Sequence, residues 1–311
     1  MARRKRKAET AAKTGPKRRK CGAMQVHFRL LEKFPGFRQR QTRLEHAFAA
    51  RLRVAPEART EPYEVQVVVH VVYRTDEENI TDGQVKSQLT VLNRDYRATN
   101  PDRNQTPTVW KGLVTDSMIE FALASTDPAG NPTDGITRTQ TSKASFGDDD
   151  SVKADATGGK DPWPTDRYLN IWVCKLAGGL LGYAQFPGGP TATDGVVILN
   201  TAFGTTGIAK PPFNLGRTTT HEVGHFFNLR HIWGDTEDCS GSDFVDDTPN
   251  AENPNFGKPT FPHISCGNGP NGDMFMNYMD YVDDDSMFMF THGQVVRMYT
   301  AIDGPRSSLV S

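Results

Sequence analysis

The sequence predicts an α/β (α+β) domain, a mixed sheet with packed helices above a loop-rich lower half, and three observations carry that prediction. A β-branched run over residues 63–73 reads as a buried strand, and shorter runs of the same kind follow it. Residues 81–97 place Val85, Leu89, Leu92 and Tyr96 at helical spacing, as a helix backing a sheet would. Beyond residue 235 the chain is mostly Gly, Asp, Asn, Pro and Ser until a last helical pattern at 292–301.

The elements follow in order. Residues 1–20 are strongly basic and poor in apolar side chains, with Arg3-Arg4-Lys5-Arg6-Lys7 and Lys17-Arg18-Arg19-Lys20 as two charge runs, and a disordered tail is expected. Such a tail can serve as a nuclear signal or nucleic-acid arm; the lack of interleaved aromatic residues favours a solvated tail instead. Residues 32–48 read as a basic helix with Leu44 and Phe48 on one face. Residues 49–62, with Arg51, Arg53, Pro56, Arg59 and Pro62, read as an exposed connector open to proteolysis. Further strands are expected at 118–124, 168–176, 180–186 and 195–199, with a surface loop over 127–165.

At 311 residues with net charge −1, the chain suits one core-bearing domain behind a short leading segment. No apolar run approaches the roughly 18 residues of a membrane helix, and no secretory signal is visible. Four cysteines, Cys21, Cys174, Cys239 and Cys266, are too few for a disulfide scaffold, and Cys174 reads as a buried thiol within a strand.

The chemistry concentrates in residues 217–235. His221 and His225 are four apart, so a helix projects both from one face, with Glu222 beside them. That spacing binds zinc through two imidazoles and leaves a carboxylate to handle a proton. His231 supplies a third imidazole only if the helix stops and the chain bends near Asn228, a residue that tolerates positive φ. Three imidazoles leave a tetrahedral corner for water, the arrangement of a catalytic site. Asp243, Asp246, Asp247 and Thr248 form an oxygen-rich loop that suits calcium, or else Asx turns closed by Pro249.

His221-Glu222-Val223-Gly224-His225-Phe226-Phe227-Asn228-Leu229-Arg230-His231 resembles the long zinc signature of the metzincins, with Asn in place of the commoner Gly at 228. Asn277-Tyr278-Met279-Asp280-Tyr281 resembles the methionine turn of one metzincin subgroup, the pappalysins, and Leu181-Gly182-Tyr183-Ala184-Gln185-Phe186-Pro187 matches that subgroup as well. The resemblance runs from about Cys21 to the C-terminus.

It implies a metzincin-like catalytic domain at 59–311 and a pro-segment at 21–58, leaving 1–20 as the tail. It implies a latent zinc endopeptidase acting on protein or peptide substrates, with zinc on His221, His225 and His231 and Glu222 as general base. Met279 floors the metal, and Tyr281 stabilises the developing oxyanion. Gly182, Tyr183 and Ala184 form the edge strand that receives substrate. Asp284 selects a basic residue just after the cleaved bond, the competing reading being an acidic surface loop. Structural calcium, a Cys239–Cys266 disulfide and a cysteine switch in which Cys21 takes the zinc's open corner also follow from the resemblance. Activation would cut Ala58–Arg59, or else Ala50–Arg51 or Leu52–Arg53. Secretion follows from the resemblance too, with no membrane partner; nucleic acid is not expected as a partner, and nothing sets an oligomeric state. The alternatives are a metal-binding protein that has lost catalysis, which an intact Glu222 opposes, and a nucleic-acid-associated protein using the basic tail.

Overall fold

The computed structural model describes residues 16–53 and 59–310. Its centre is a six-stranded twisted sheet around β1 (Tyr63–Tyr73). One edge of β1 is shared by two short parallel strands: β2 (Ile119–Leu123) pairs with its first half and β3 (Ile136–Gln140) with its second. On the other side lie β4 (Leu169–Cys174), parallel to β1, and then β6 (Val196–Leu199). The three-residue β5 (Gly182–Ala184) closes that edge, antiparallel to β6.

The strict alternation of a pleat divides the apolar side chains between two faces. Val67, Val69 and Val71 of β1, Ile171 and Val173 of β4 and Ile198 of β6 face one core. That core is completed by α3 (Asp82–Tyr96), α4 (Arg217–Phe226) and α5 (His292–Ile302). Val72, Trp172, Cys174, Val197 and Leu199 point to the opposite face, where Ala23, Met24, Val26 and Leu30 cover them. Being buried on both faces is why these strands read as continuous apolar runs.

The expected strands and helices at 63–73, 81–97, 118–124, 168–176, 195–199 and 292–301 are all present, with ends within two residues of those expected. Three expectations need correction. The N-terminal helical region is two helices, α1 (Ala23–Lys33) and α2 (Pro35–Arg51), broken where Phe34 turns extended ahead of Pro35. β3 lies inside the stretch read as surface loop; Ile-Thr-Arg-Thr-Gln has one apolar residue and forms a strand because β1 offers an unpaired edge. The basic tail does not extend to residue 20: Arg19 is 3% exposed because a buried carboxylate receives it. Residues 1–15, with the first charge run, lie outside the described residues.

The lower half is loop-rich, as expected. It contains the short parallel pair β7 (Phe256–Gly257) and β8 (Tyr281–Val282), and the disulfide Cys239–Cys266 that the resemblance implied. Cys174 is a buried free thiol. Among the described residues no helix is long and apolar enough to cross a membrane.

Candidate active site

Helix α4 ends at Phe226, and Asn228 adopts φ +75°, which turns the chain back beneath the helix. His231 thereby reaches His221 and His225. The three Nε2 atoms lie 3.2 Å (221–225), 3.3 Å (221–231) and 3.1 Å (225–231) apart. Each Nδ1 is already committed: His221 to Tyr278 O at 2.7 Å, His225 to Leu229 O at 2.8 Å and His231 to Asp235 Oδ1 at 2.5 Å. Nδ1–H donors on those acceptors leave three Nε2 lone pairs aimed at one point. Lone pairs that close repel unless a cation sits between them. Tetrahedral Zn–N bonds of about 2.0–2.1 Å place such nitrogens about 3.3–3.4 Å apart, so the donor set fits that ion. Burial, then the neighbouring imidazoles, pushes His221 and His225 well below the ordinary histidine range and keeps them neutral, as ligands must be.

Cys21 Sγ joins the three imidazoles, all four donor atoms lying within 4.8 Å of one another. Its thiol is also 3.3 Å from Glu222 Oε2. Burial raises the Glu222 carboxyl to about 8, against the lowering effect of Cys21 and Arg19. Gly182 passes directly over this carboxylate: a Cβ there would sit 2.8 Å from Glu222 Cγ. Gly224 performs the same service beneath, where a Cβ would meet Met279 Sδ at 2.6 Å. The turn methionine therefore packs against the helix that carries the histidines. The Tyr281 ring stands 4.9 Å from that of His231 and 5.7 Å from that of His221.

The edge strand is occupied by the chain itself. Gly22 N donates to Gly182 O at 2.9 Å and Leu181 N to Lys20 O at 2.9 Å, so residues 20–22 add to β5 as an extra strand. In an extended segment residues two apart share a side, and Arg19 points the same way as Cys21. Arg19 Nη2 donates to Asp284 Oδ1 at 2.7 Å, Nη1 to Thr218 Oγ1 at 3.0 Å and Nε to Val282 O at 3.3 Å. Asp284 is fully buried, and its other oxygen accepts from Leu215 N at 2.8 Å. Asp284 is thus not part of an acidic surface, the competing reading, although Asp285 beside it is exposed.

The oxygen-rich loop comes together only in part. Asp243 Oδ2 accepts from Thr248 Oγ1 at 2.7 Å, and burial raises this carboxyl to about 7. Asp247 instead caps α5, accepting from Thr291 Oγ1 at 2.6 Å and Gly293 N at 2.8 Å, while Asp246 is exposed. The four residues do not share one focus in this structure: a helix N-terminus takes the third carboxylate and solvent the second.

Sequence reasoning missed three contributors. Arg19 was hidden in a run of four like charges, where only the extended geometry singles it out. Asp235, four residues past His231, was a legible partner. Trp233 stacks on His231 at 4.3 Å and 9°, fixing the plane of the ring.

With this geometry in view, the likeness to known proteins is specific. The peptidase M43 family, described as pregnancy-associated plasma protein-A, matches residues 150–303. An extracellular metalloprotease of Pyricularia oryzae is 32% identical over 250 residues, 78% of this chain and 75% of the relative. Extracellular metalloprotease 1 of Coccidioides posadasii is 32% identical over 247 residues, 76% of each. Among solved structures, a promirolysin mutant of Tannerella forsythia aligns with TM-score 0.86 at 45% identity, covering 94% of this chain and 97% of that one. Mature mirolysin of the same organism, in complex with a cleaved peptide, aligns with TM-score 0.79 at 49% identity over 82% and 96%. The chain therefore belongs to the peptidase M43 family, the pappalysins, and is a metalloendopeptidase.

Proposed function

We propose that the chain is the latent precursor of a zinc endopeptidase that cleaves before Arg or Lys, and that residues 21–58 are the pro-segment, with Arg19 ahead of them acting in the same block. One observation carries the reading: three imidazole lone pairs and the Cys21 sulfur face a single point while every imidazole Nδ1 is tied to an oxygen. Zinc bound there supplies a Lewis acid and an acidified water.

The protein's own groups do the rest. The exposed edge of β5 holds the substrate backbone once residues 20–22 leave it. Glu222 Oε2 takes a proton from the attacking water and passes it to the leaving amine. Tyr281 donates its hydroxyl to the developing oxyanion. Asp284, which already holds one guanidinium, receives the side chain after the cleaved bond.

Latency follows from the same contacts. Burial and Glu222 push the bare Cys21 thiol up; a cation at the shared focus reverses that and makes sulfur a ligand. The precursor structure of Tannerella forsythia aligns over 94% of this chain against 82% for the mature one, which supports an N-terminal segment that is removed. Ala50–Arg51 lies in the last turn of α2, unsuited to extended binding; Ala58 lies outside the described residues. Ala58–Arg59 remains the preferred cut. A structural calcium in the loop of Asp243, Asp246, Asp247 and Thr248 and an extracellular setting, the latter in line with the names of the fungal relatives, complete the reading.

The test is a peptide library offered to the matured protein with and without chelator, beside Glu222→Ala. Turnover should fall by about 10²–10⁴ in the variant, be lost on chelation and favour Arg or Lys after the bond. Activity that survives chelation sinks the reading.

A further inference from the structure

Helix α2 lies in a groove whose walls belong to the rest of the chain. Phe37, Gln41, Leu44 and Phe48 form its buried stripe, spaced as a helix laid in a groove requires. Gln41 Nε2 donates to Pro187 O at 2.6 Å and Arg40 Nε to Gly188 O at 2.5 Å, so the groove begins where the substrate-edge strand β5 ends. At its far end two arginines wait. Arg297 of α5, fully buried, grips Glu45 with both nitrogens, at 2.8 and 2.5 Å, and Arg230 stands 3.6 Å from the same carboxylate. Three residues on, the Phe48 ring fills a slot between Val245 and Val296, under the Arg297 guanidinium at 5.0 Å. The rim is Phe244, 54% exposed at φ +61°, a conformation costly for an aromatic residue and held here between both arginines.

Nothing in the proposed chemistry uses this surface, yet it is cationic, apolar and continuous with the cleft. We propose that, once α2 has left, the groove is an exosite for a helical segment of protein substrates that carries an acidic residue three positions before an aromatic one. The inference rests on the reading that the pro-segment, residues 21–58, is cut away. Glu45 and Phe48 occupy the groove as such a segment would. The site adds affinity for folded substrates without touching the scissile bond, so it acts on KM and leaves kcat alone.

Binding is measured on the Glu222→Ala chain, cut in the connector by limited trypsin digestion and freed of its pro-segment by ion exchange, so that the probe survives. The probe is a fluorescein-labelled peptide of residues 35–51, with Glu45→Gln and Phe48→Ala versions beside it. The parent peptide should saturate, weaken as salt rises, and bind at least about tenfold tighter than either variant. On the matured wild-type enzyme, appending residues 35–51, with Arg38, Arg40, Arg43 and Arg51 replaced by Gln so that the segment itself is not cut, to a six-residue reporter should lower KM at least about fivefold against the same segment carrying Glu45→Gln, with kcat unchanged. Equal binding of parent and variants overturns the proposal, as does competitive inhibition of the short reporter, which would place the helix in the cleft. If the short reporter is not cleaved after the cut, the zymogen reading fails while the binding measurement still decides the groove.

Discussion

Among the ion pairs that join the N-terminal segment to the rest of the chain, two are of opposite polarity. At Arg19–Asp284 the segment supplies the cation and the enzyme body the carboxylate; at Glu45–Arg297 the roles are exchanged. The first pair lies at the bottom of the cleft, where both side chains are at most 1% exposed. The second lies on the flank, with the Glu45 side chain still 28% exposed. A fully desolvated pair is held by its neighbours and is costly to break singly, whereas a partly wet pair gains less and costs less. The difference in burial separates a contact sealed inside the cleft from one on the wet flank, and under the proposed function the first blocks chemistry while the second secures docking. The partners on the other side also differ: Asp284 Oδ2 still accepts from Leu215 N at 2.8 Å, while Arg297 Nε still donates to Asn228 O at 2.7 Å.

The largest effect should come from the buried pair. Asp284→Asn in the matured enzyme should reduce the preference for Arg over Leu after the bond by about 10–150-fold, the worth of a charge-assisted hydrogen bond of about 1.5–3 kcal/mol. An unchanged preference removes Asp284 from the pocket. Next, Arg19→Ala and Cys21→Ala should each raise the basal turnover of the intact precursor at least about tenfold, since each strips one plug from the cleft. Unchanged latency in both would assign the block to the helices instead.

Glu45→Gln should act on stability first. Losing one partner of a partly buried pair should cost about 1–3 kcal/mol and lower the precursor's thermal midpoint by a few degrees, with basal turnover less affected than by Arg19→Ala. A reversed ranking would break the distinction between the two pairs.

The smallest effect should be a pH dependence at His27 of α1. This ring packs against Phe37 and Phe186 with its Nδ1 unpartnered. Burial, then Arg230, lowers it from 6.5 to about 4; Arg38 adds to the fall and Asp235 and Glu45 oppose it. Because the docked value lies below the free one, the docking stability His27 contributes is present above pH 6.5 and lost as pH falls toward 4. Hydrogen-exchange protection over residues 23–33, corrected for the intrinsic pH dependence of exchange, should therefore fall between pH 7.5 and 5 in the precursor, and do so less in His27→Phe. Equal pH responses would clear His27 of that role.

Much of the fold was readable because the strands are buried on both faces and so stand out as unbroken apolar runs, and because α3 carries a clean helical period. β3 was not readable: its residues are polar, and its pairing is granted by a vacant stretch of β1 more than sixty residues earlier. The break at Phe34 hid in a region without strong periodicity. At the site, the three histidines and Glu222 declared themselves by spacing. Arg19 did not, because four adjacent charges look alike until one of them meets a carboxylate 265 residues away.

By itself the sequence determined the local terms: which residues alternate, where a helix can run, and that a residue tolerant of positive φ stands where the histidine chain must turn. Those follow from backbone sterics and side-chain period, which act over a few residues. Only the tertiary structure decided which carboxylate is Asp284 and which is merely a helix cap at Asp247. It likewise decided that the chain's own Arg19 and Cys21 fill the cleft. Charge pairing and burial are properties of neighbours in space, and no local rule ranks one aspartate or arginine above the next.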